Sequence, residues 1–191
     1  MSVFQNNEAP THDLSNITVL LVEDSQSMQS LLSSMLRAFG IGEVLACSGG
    51  KEAINLLTIT QARKKGSDIH SIDMIVTDWL MPEGSGVELI DWIRSHDDDD
   101  IRFMPIILIS AYTTEKVIIT ARDHGANETL VKPLSGQKLA KRVTSVINTP
   151  RPFIKTPTFF GPDRRRQTMV FAGDDRRKTK AEELKVHNEK L

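Results

Sequence analysis

Five short apolar runs alternate with five amphipathic stretches between Ile17 and Asn148, and this alternation limits the fold more than any other feature of the chain. The first run, Ile17 to Val22 (ITVLLV), is apolar apart from one Thr and rich in β-branched residues, which suits a strand covered on both faces. Glu23 and Asp24 end it. Ser25 is then placed to cap a helix from Gln26 to about Phe39, in which Met28, Leu31, Leu32, Met35, Leu36 and Phe39 share one stripe and Gly40 is the stop. The unit recurs as a strand near Glu43 to Cys47 and a helix from Gly50 to Lys64, then a strand at Ile72 to Thr77, the turn-rich MPEGSG segment and a helix from Gly86 to Ser95. A strand at Met104 to Ile109 precedes a helix near Thr114 to His124, and a strand at Glu128 to Val131 precedes a helix from Ser135 to Asn148. Right-handed crossovers between such units predict an α/β fold, with an open five-stranded parallel sheet flanked by five helices on its two faces.

Charge divides the chain into the same body and a remainder. Thr149 to Leu191 carries eleven Lys or Arg against six Asp or Glu, a balance of +5, which leaves 13 basic and 19 acidic residues before it, a balance of −6. The 191 residues therefore read as a flexible N-terminus over 1–15, one domain over 16–148 and a basic, largely disordered tail over 149–191. Pro150, Pro152, Pro157 and Pro162 punctuate that tail, and Leu184, Val186 and Leu191 are compatible with a short helix at its end. Cys47 is the single cysteine, which rules out an intramolecular disulfide and points to a reducing, cytoplasmic setting. It lies in an apolar run and reads as a small buried hydrophobe. No run approaches the roughly 18 apolar residues that a membrane span needs, so no membrane partner is expected.

In a sheet of this kind, ligands bind beyond the carboxyl ends of the strands. The first strand ends at Glu23 and Asp24, the third at Asp78, the fourth at Ser110 and the fifth at Lys132 and Pro133. If the first and third strands are neighbours, about 4.8 Å apart, their three carboxylates crowd together and repel unless a cation sits among them. Mg²⁺, a hard ion that takes oxygen ligands and keeps several waters, suits that cluster.

The acidic pair Glu23-Asp24, the DWLMP segment from Asp78 to Pro82, the run Ile107-Leu108-Ile109-Ser110-Ala111 and Lys132-Pro133 together resemble the response-regulator receiver family, the CheY-like domains of two-component signalling. The resemblance covers about Ile17 to Asn148. It implies a flavodoxin-like, doubly wound sheet of strand order 2-1-3-4-5, and a signalling receiver that catalyses its own phosphorylation and dephosphorylation rather than a turnover enzyme. Asp78 would take a phosphoryl group from a histidine kinase, a histidine phosphotransfer protein or a small phosphodonor. Asp24 would hold Mg²⁺ directly, Glu23 through water, and the backbone carbonyl of Leu80 would add an oxygen. Lys132 would pair with the phosphoryl oxygens, the Ser110 hydroxyl would bond one of them, and the Lys132-Pro133 bond would be cis. The signal would pass to a downstream protein target by phosphorylation-dependent interaction, with a phosphorylation-dependent dimer as one form.

Several residues depart from that pattern. Thr129, three before Lys132, stands where many members carry a switching aromatic, so the switch is expected to run through the loop around Ser110 and Ala111, with Tyr112 as its candidate aromatic contributor. Leu80 and Tyr112 are bulky at positions where side chains screen attacking water. Phosphatases of the haloacid-dehalogenase type also place a nucleophilic Asp after a strand, but they need a second Asp where this chain has Leu80. The run Asp97 to Asp100 reads as a solvated loop. In the tail, Gly161-Pro162-Asp163-Arg164-Arg165-Arg166 is echoed by Gly173-Asp174-Asp175-Arg176-Arg177-Lys178, which reads either as a solvated tail that keeps the chain soluble or as a docking element for an acidic partner. Nucleic acid is the weaker partner class, because no paired recognition helices follow.

Overall fold

The first strand, β1 (Thr18–Val22), is buried along its whole length, and at its end the Ser25 side chain accepts the Met28 N–H to start α1 (Gln26–Ala38). That bond satisfies a donor the helix itself leaves unpaired. The structure is a computed structural model and describes residues 13–64, 71–82, 84–112, 114–164 and 185–187. The next units are β2 (Glu43–Cys47) with α2 (Gly50–Lys64), and β3 (Met74–Asp78) with α3 (Gly86–Arg94). Ser85 and Glu88 start α3 through reciprocal side-chain-to-backbone bonds of 3.2 and 3.0 Å. After a one-turn α4 (Asp99–Arg102) come β4 (Ile106–Ser110), α5 (Glu115–His124), β5 (Glu128–Val131) and α6 (Gly136–Asn148). Gly125, at φ +98°, ends α5 in a left-handed conformation that favours glycine.

The strands pair in parallel in the order β2-β1-β3-β4-β5. Successive residues point to opposite faces, so the central strands β1, β3 and β4 each feed two cores. Val19, Leu21, Met74, Val76, Ile107 and Ile109 meet Leu32 and Leu36 of α1 and Leu139, Val143 and Val146 of α6. Leu20, Val22, Ile75 and Leu108 meet Ala53 and Leu57 of α2, Leu89 and Ile93 of α3, Ile101 of α4 and Ala121 of α5. Each such Leu or Ile contributes about 1.5–3 kcal/mol on burial. This is the doubly wound, flavodoxin-like sheet in the expected strand order.

Three expectations are corrected. The Asp97 to Asp100 run is not all loop: Asp98 accepts the Asp100 N–H at 2.8 Å and caps α4, whose acidic first turn suits the positive end of a helix dipole. Ile101, buried against the core, anchors that turn. The segment expected as a disordered tail instead begins with a hairpin, β6 (Phe153–Thr156) antiparallel to β7 (Phe159–Pro162). Phe153 is 0% exposed, with its ring 4.9 Å from that of Phe103, and Phe160 lies 5.2 Å from Phe103. Three rings that bury one another supply the apolar surface that the Arg and Pro content conceals. Where a helix near Lys180 to Leu191 was expected, the described residues Lys185–His187 form β8, a strand on the other edge of β6. The N-terminal stretch over 1–12, the second basic cluster at Gly173 to Lys178 and the rest of that helix expectation lie outside the described residues.

Candidate functional site

Strand register brings the chemistry to one rim. Val22 pairs with Thr77, Asp78 with Ile109, and Ser110 with Val131. Glu23 and Asp24, Asp78, Ser110 and Lys132 therefore leave four adjacent strands within about one residue of the same level. Carboxylate oxygens of Glu23, Asp24 and Asp78 lie within 4.8 Å of one another. The Lys132 Nζ donates to Glu23 Oε2 at 2.9 Å and to Asp78 Oδ2 at 2.8 Å. Asp78 Oδ1 accepts the Trp79 N–H at 2.8 Å, which fixes the carboxylate plane.

Burial sorts the three acids. Glu23 is 2% exposed, Asp78 is half-buried and Asp24 faces solvent. Burial pushes the Glu23 carboxyl above the usual carboxylate range; the hydrogen bond from Lys132 opposes this, and the neighbouring charge of Asp78 adds to it. For Lys132, burial alone would lower the pKa, but the bonds to Asp78 and Glu23 outweigh it and hold the ammonium above its ordinary value. Three carboxylates against one ammonium leave the rim negative. A tight set of hard oxygen donors with excess negative charge fits a small divalent cation such as Mg²⁺.

Ser110 is buried, and its hydroxyl accepts the Tyr112 N–H at 3.0 Å. A hydroxyl that accepts there still has its own proton to donate. Leu80 and Tyr112 both hold their side chains about half exposed above the rim. The Lys132-Pro133 bond is cis. Thr129 is not at the rim; it lines a cleft between α5 and α6.

Two supporting residues escaped the sequence reading. Gln29 donates to the carbonyls of Glu23 and Cys47 at 3.3 and 3.1 Å and ties the ends of β1 and β2 together. Its place one turn after Ser25 was the only signal. Gly86 lies so close to the Asp78 carbonyl that a Cβ there would collide with it, which explains a glycine at the start of α3.

Residues 19–144 match the family model described as the response regulator receiver domain. The chain belongs to the response-regulator receiver family. This receiver is similar to the chemotaxis protein CheY homolog of Campylobacter jejuni, 33% identical over 131 residues that span 69% of this chain and 92% of the relative. It is 29% identical over 131 residues to the chemotaxis protein CheY-3 of Vibrio cholerae, with the same shares covered. Among solved structures, it resembles the chemotaxis response regulator CheY4 of Vibrio cholerae, with a TM-score of 0.55, 28% identity, and 68% of this chain and 98% of that one covered. A response regulator receiver domain protein from Clostridium thermocellum gives a TM-score of 0.58 at 26% identity, covering 69% of this receiver and 94% of that chain. Among the described residues, no helix is long and apolar enough to cross a membrane.

Proposed function

We propose that this receiver accepts a phosphoryl group on Asp78 from a phosphohistidine and signals through the change that follows. The single observation that carries the reading is the rim itself, where Lys132 spans Glu23 and Asp78 while Asp24 stands at the same place facing solvent. An Asp78 carboxylate oxygen attacks phosphorus, the P–N bond of the donor histidine breaks, and the imidazole nitrogen leaves with the electron pair and takes up a proton. The product is an acyl phosphate on Asp78.

Charge on the equatorial phosphoryl oxygens is the main barrier to such a transfer. Lys132 offers a compact ammonium for those oxygens in exchange for the Asp78 Oδ2 it now holds. Ser110 offers its hydroxyl proton once the group is in place, while the Trp79 N–H keeps Asp78 oriented. Asp24 would hold Mg²⁺ directly, with Glu23 through water, Asp78, and the Leu80 carbonyl completing the protein's share. When bound, Mg²⁺ supplies further positive charge to the transferring group. Bulky Leu80 and Tyr112 screen the acyl phosphate from water.

This reading sets the protein in the cytoplasm, opposite a histidine kinase or histidine phosphotransfer protein, and sends the signal on by protein contact or dimerisation. Purified chain incubated with Mg²⁺ and acetyl phosphate should gain the mass of one phosphoryl group, and Asp78→Asn should gain none. Equal gain by the variant would place the acceptor elsewhere and defeat the proposal.

A further inference from the structure

A second concave feature lies away from the rim, between α5, β5, α6 and the start of the C-terminal hairpin. It is a cleft of about 840 Å³, a size typical of sites for small organic molecules. Its floor is apolar and small, with Ile118, Ala126, Leu130 and Val131, and Thr129 stands where a large ring would fill the space. Its walls are cationic: Arg122 from α5, Lys138, Lys141 and Arg142 from α6, and Arg151 and Arg164 flanking the hairpin.

Neighbouring acids offset only part of that charge. Arg142 pairs with Glu128 at 3.1 Å, and both Arg122 and Arg164 pair with Asp123, at 3.3 and 3.0 Å. Six cations line the cleft, and they leave it positive even when the Asp163 carboxylate is counted beside those of Glu128 and Asp123. The pairs also hold the guanidinium groups in place, and Arg164 is further fixed by stacking 4.0 Å over the Phe159 ring. Guanidinium groups pre-oriented from several elements suit phosphate, which they bind through paired hydrogen bonds.

From this juxtaposition we propose that the cleft binds a phosphorylated small molecule of nucleotide size, its phosphates on the Arg and Lys walls and its ring system on the floor beside Thr129. The apolar floor of Ile118, Ala126, Leu130 and Val131, which can carry a ring system, favours such a ligand over an acidic peptide, which would use the cationic groups alone. The site depends on the hairpin, because Arg151 and Arg164 form one wall. It also couples ligand to fold, since Arg151 donates to the Asn127 carbonyl just before β5 and to the Asp163 carbonyl after β7. The acidic protein partner expected for the basic segment is the competing occupant.

Calorimetric titration of the full chain with ATP, GTP, tripolyphosphate and a polyglutamate peptide tests the proposal. At least one nucleotide should bind saturably at one per chain. Lys138→Glu/Lys141→Glu, which changes two exposed residues of α6, should weaken it by more than about tenfold, because each charge-assisted bond is worth a kcal/mol or more. Lys51→Glu, on exposed α2, should leave it unchanged. No saturable nucleotide binding, equal weakening by Lys51→Glu, or tripolyphosphate binding as tightly as either nucleotide would overturn it. So would binding of polyglutamate in place of nucleotides, which would give the cleft to an acidic protein.

Discussion

The two ends of the sheet each hold a cation, and they treat it in opposite ways. At the carboxyl rim, Lys132 is 18% exposed and held by two carboxylates, a charged arrangement that an arriving phosphoryl group or divalent ion can rearrange. At the other end, before β4 and β5, the buried Arg94 donates to the carbonyls of Gly125, Arg102 and Met104 at 2.7–2.9 Å and to Asn127 Oδ1 at 3.0 Å. Its guanidinium also lies 4.9 Å from the centre of the Phe153 ring. Backbone carbonyls cannot move without moving the strands they precede. A cation among carboxylates makes a site that responds to added charge, whereas a cation among carbonyls and rings makes a strut.

The comparison is tested most strongly at the strut. Phe153→Ala should destabilise the fold by about 3–5 kcal/mol, the range for removing a fully buried aromatic ring, measured by urea unfolding. Phosphorylation under folding conditions should persist. Loss of phosphorylation without loss of stability would show that the two ends are not separate. A smaller effect is expected at the rim, where Lys132→Ala leaves the buried Glu23 and the half-buried Asp78 without their shared cation and should cost about 1–3 kcal/mol in a chelator. Added Mg²⁺ should recover part of that loss in the variant and change the parent less. Equal response of the two proteins would mean that the acids and the lysine do not form one electrostatic unit.

The smallest effect lies just beneath the rim. Burial, with a lesser contribution from Glu52, pushes the Cys47 thiol up to about 11. A native pKa above the unfolded one favours folding while the thiol is protonated. The contribution is therefore complete below the unfolded value of 9.0 and is lost as pH rises through about 11. Native Cys47 should resist thiol reagents at neutral pH, and Cys47→Ala should flatten the alkaline fall in stability. Rapid labelling of the native protein would contradict the burial.

The alternating runs made the sheet legible because short parallel strands buried on both faces leave a nearly continuous apolar signal. The rim was legible for a related reason: each of its groups ends or follows a strand, so a correct strand order places them together without knowledge of any side-chain contact. The hairpin was not. Its ring partners are split between Phe103 and the segment after Thr149, and a local reading of Pro and Arg saw only what would stay in water. The turn at α4 was hidden likewise, since Asp98 reads as a cap only once Ile101 is known to be buried. Arg94 gave no signal at all, because its partners are backbone carbonyls that no sequence pattern displays.

The claim on which the functional reading depends is that Asp78, and not its neighbours Glu23 or Asp24, carries the acyl phosphate. Borohydride reduces an acyl phosphate of aspartate to homoserine, so chain treated with acetyl phosphate and Mg²⁺, reduced and mapped by peptide mass spectrometry, reports the position directly. Homoserine at position 78 alone is the predicted result; an unmodified Asp78 beside a modified Asp24, or no modification at this rim, would contradict the account.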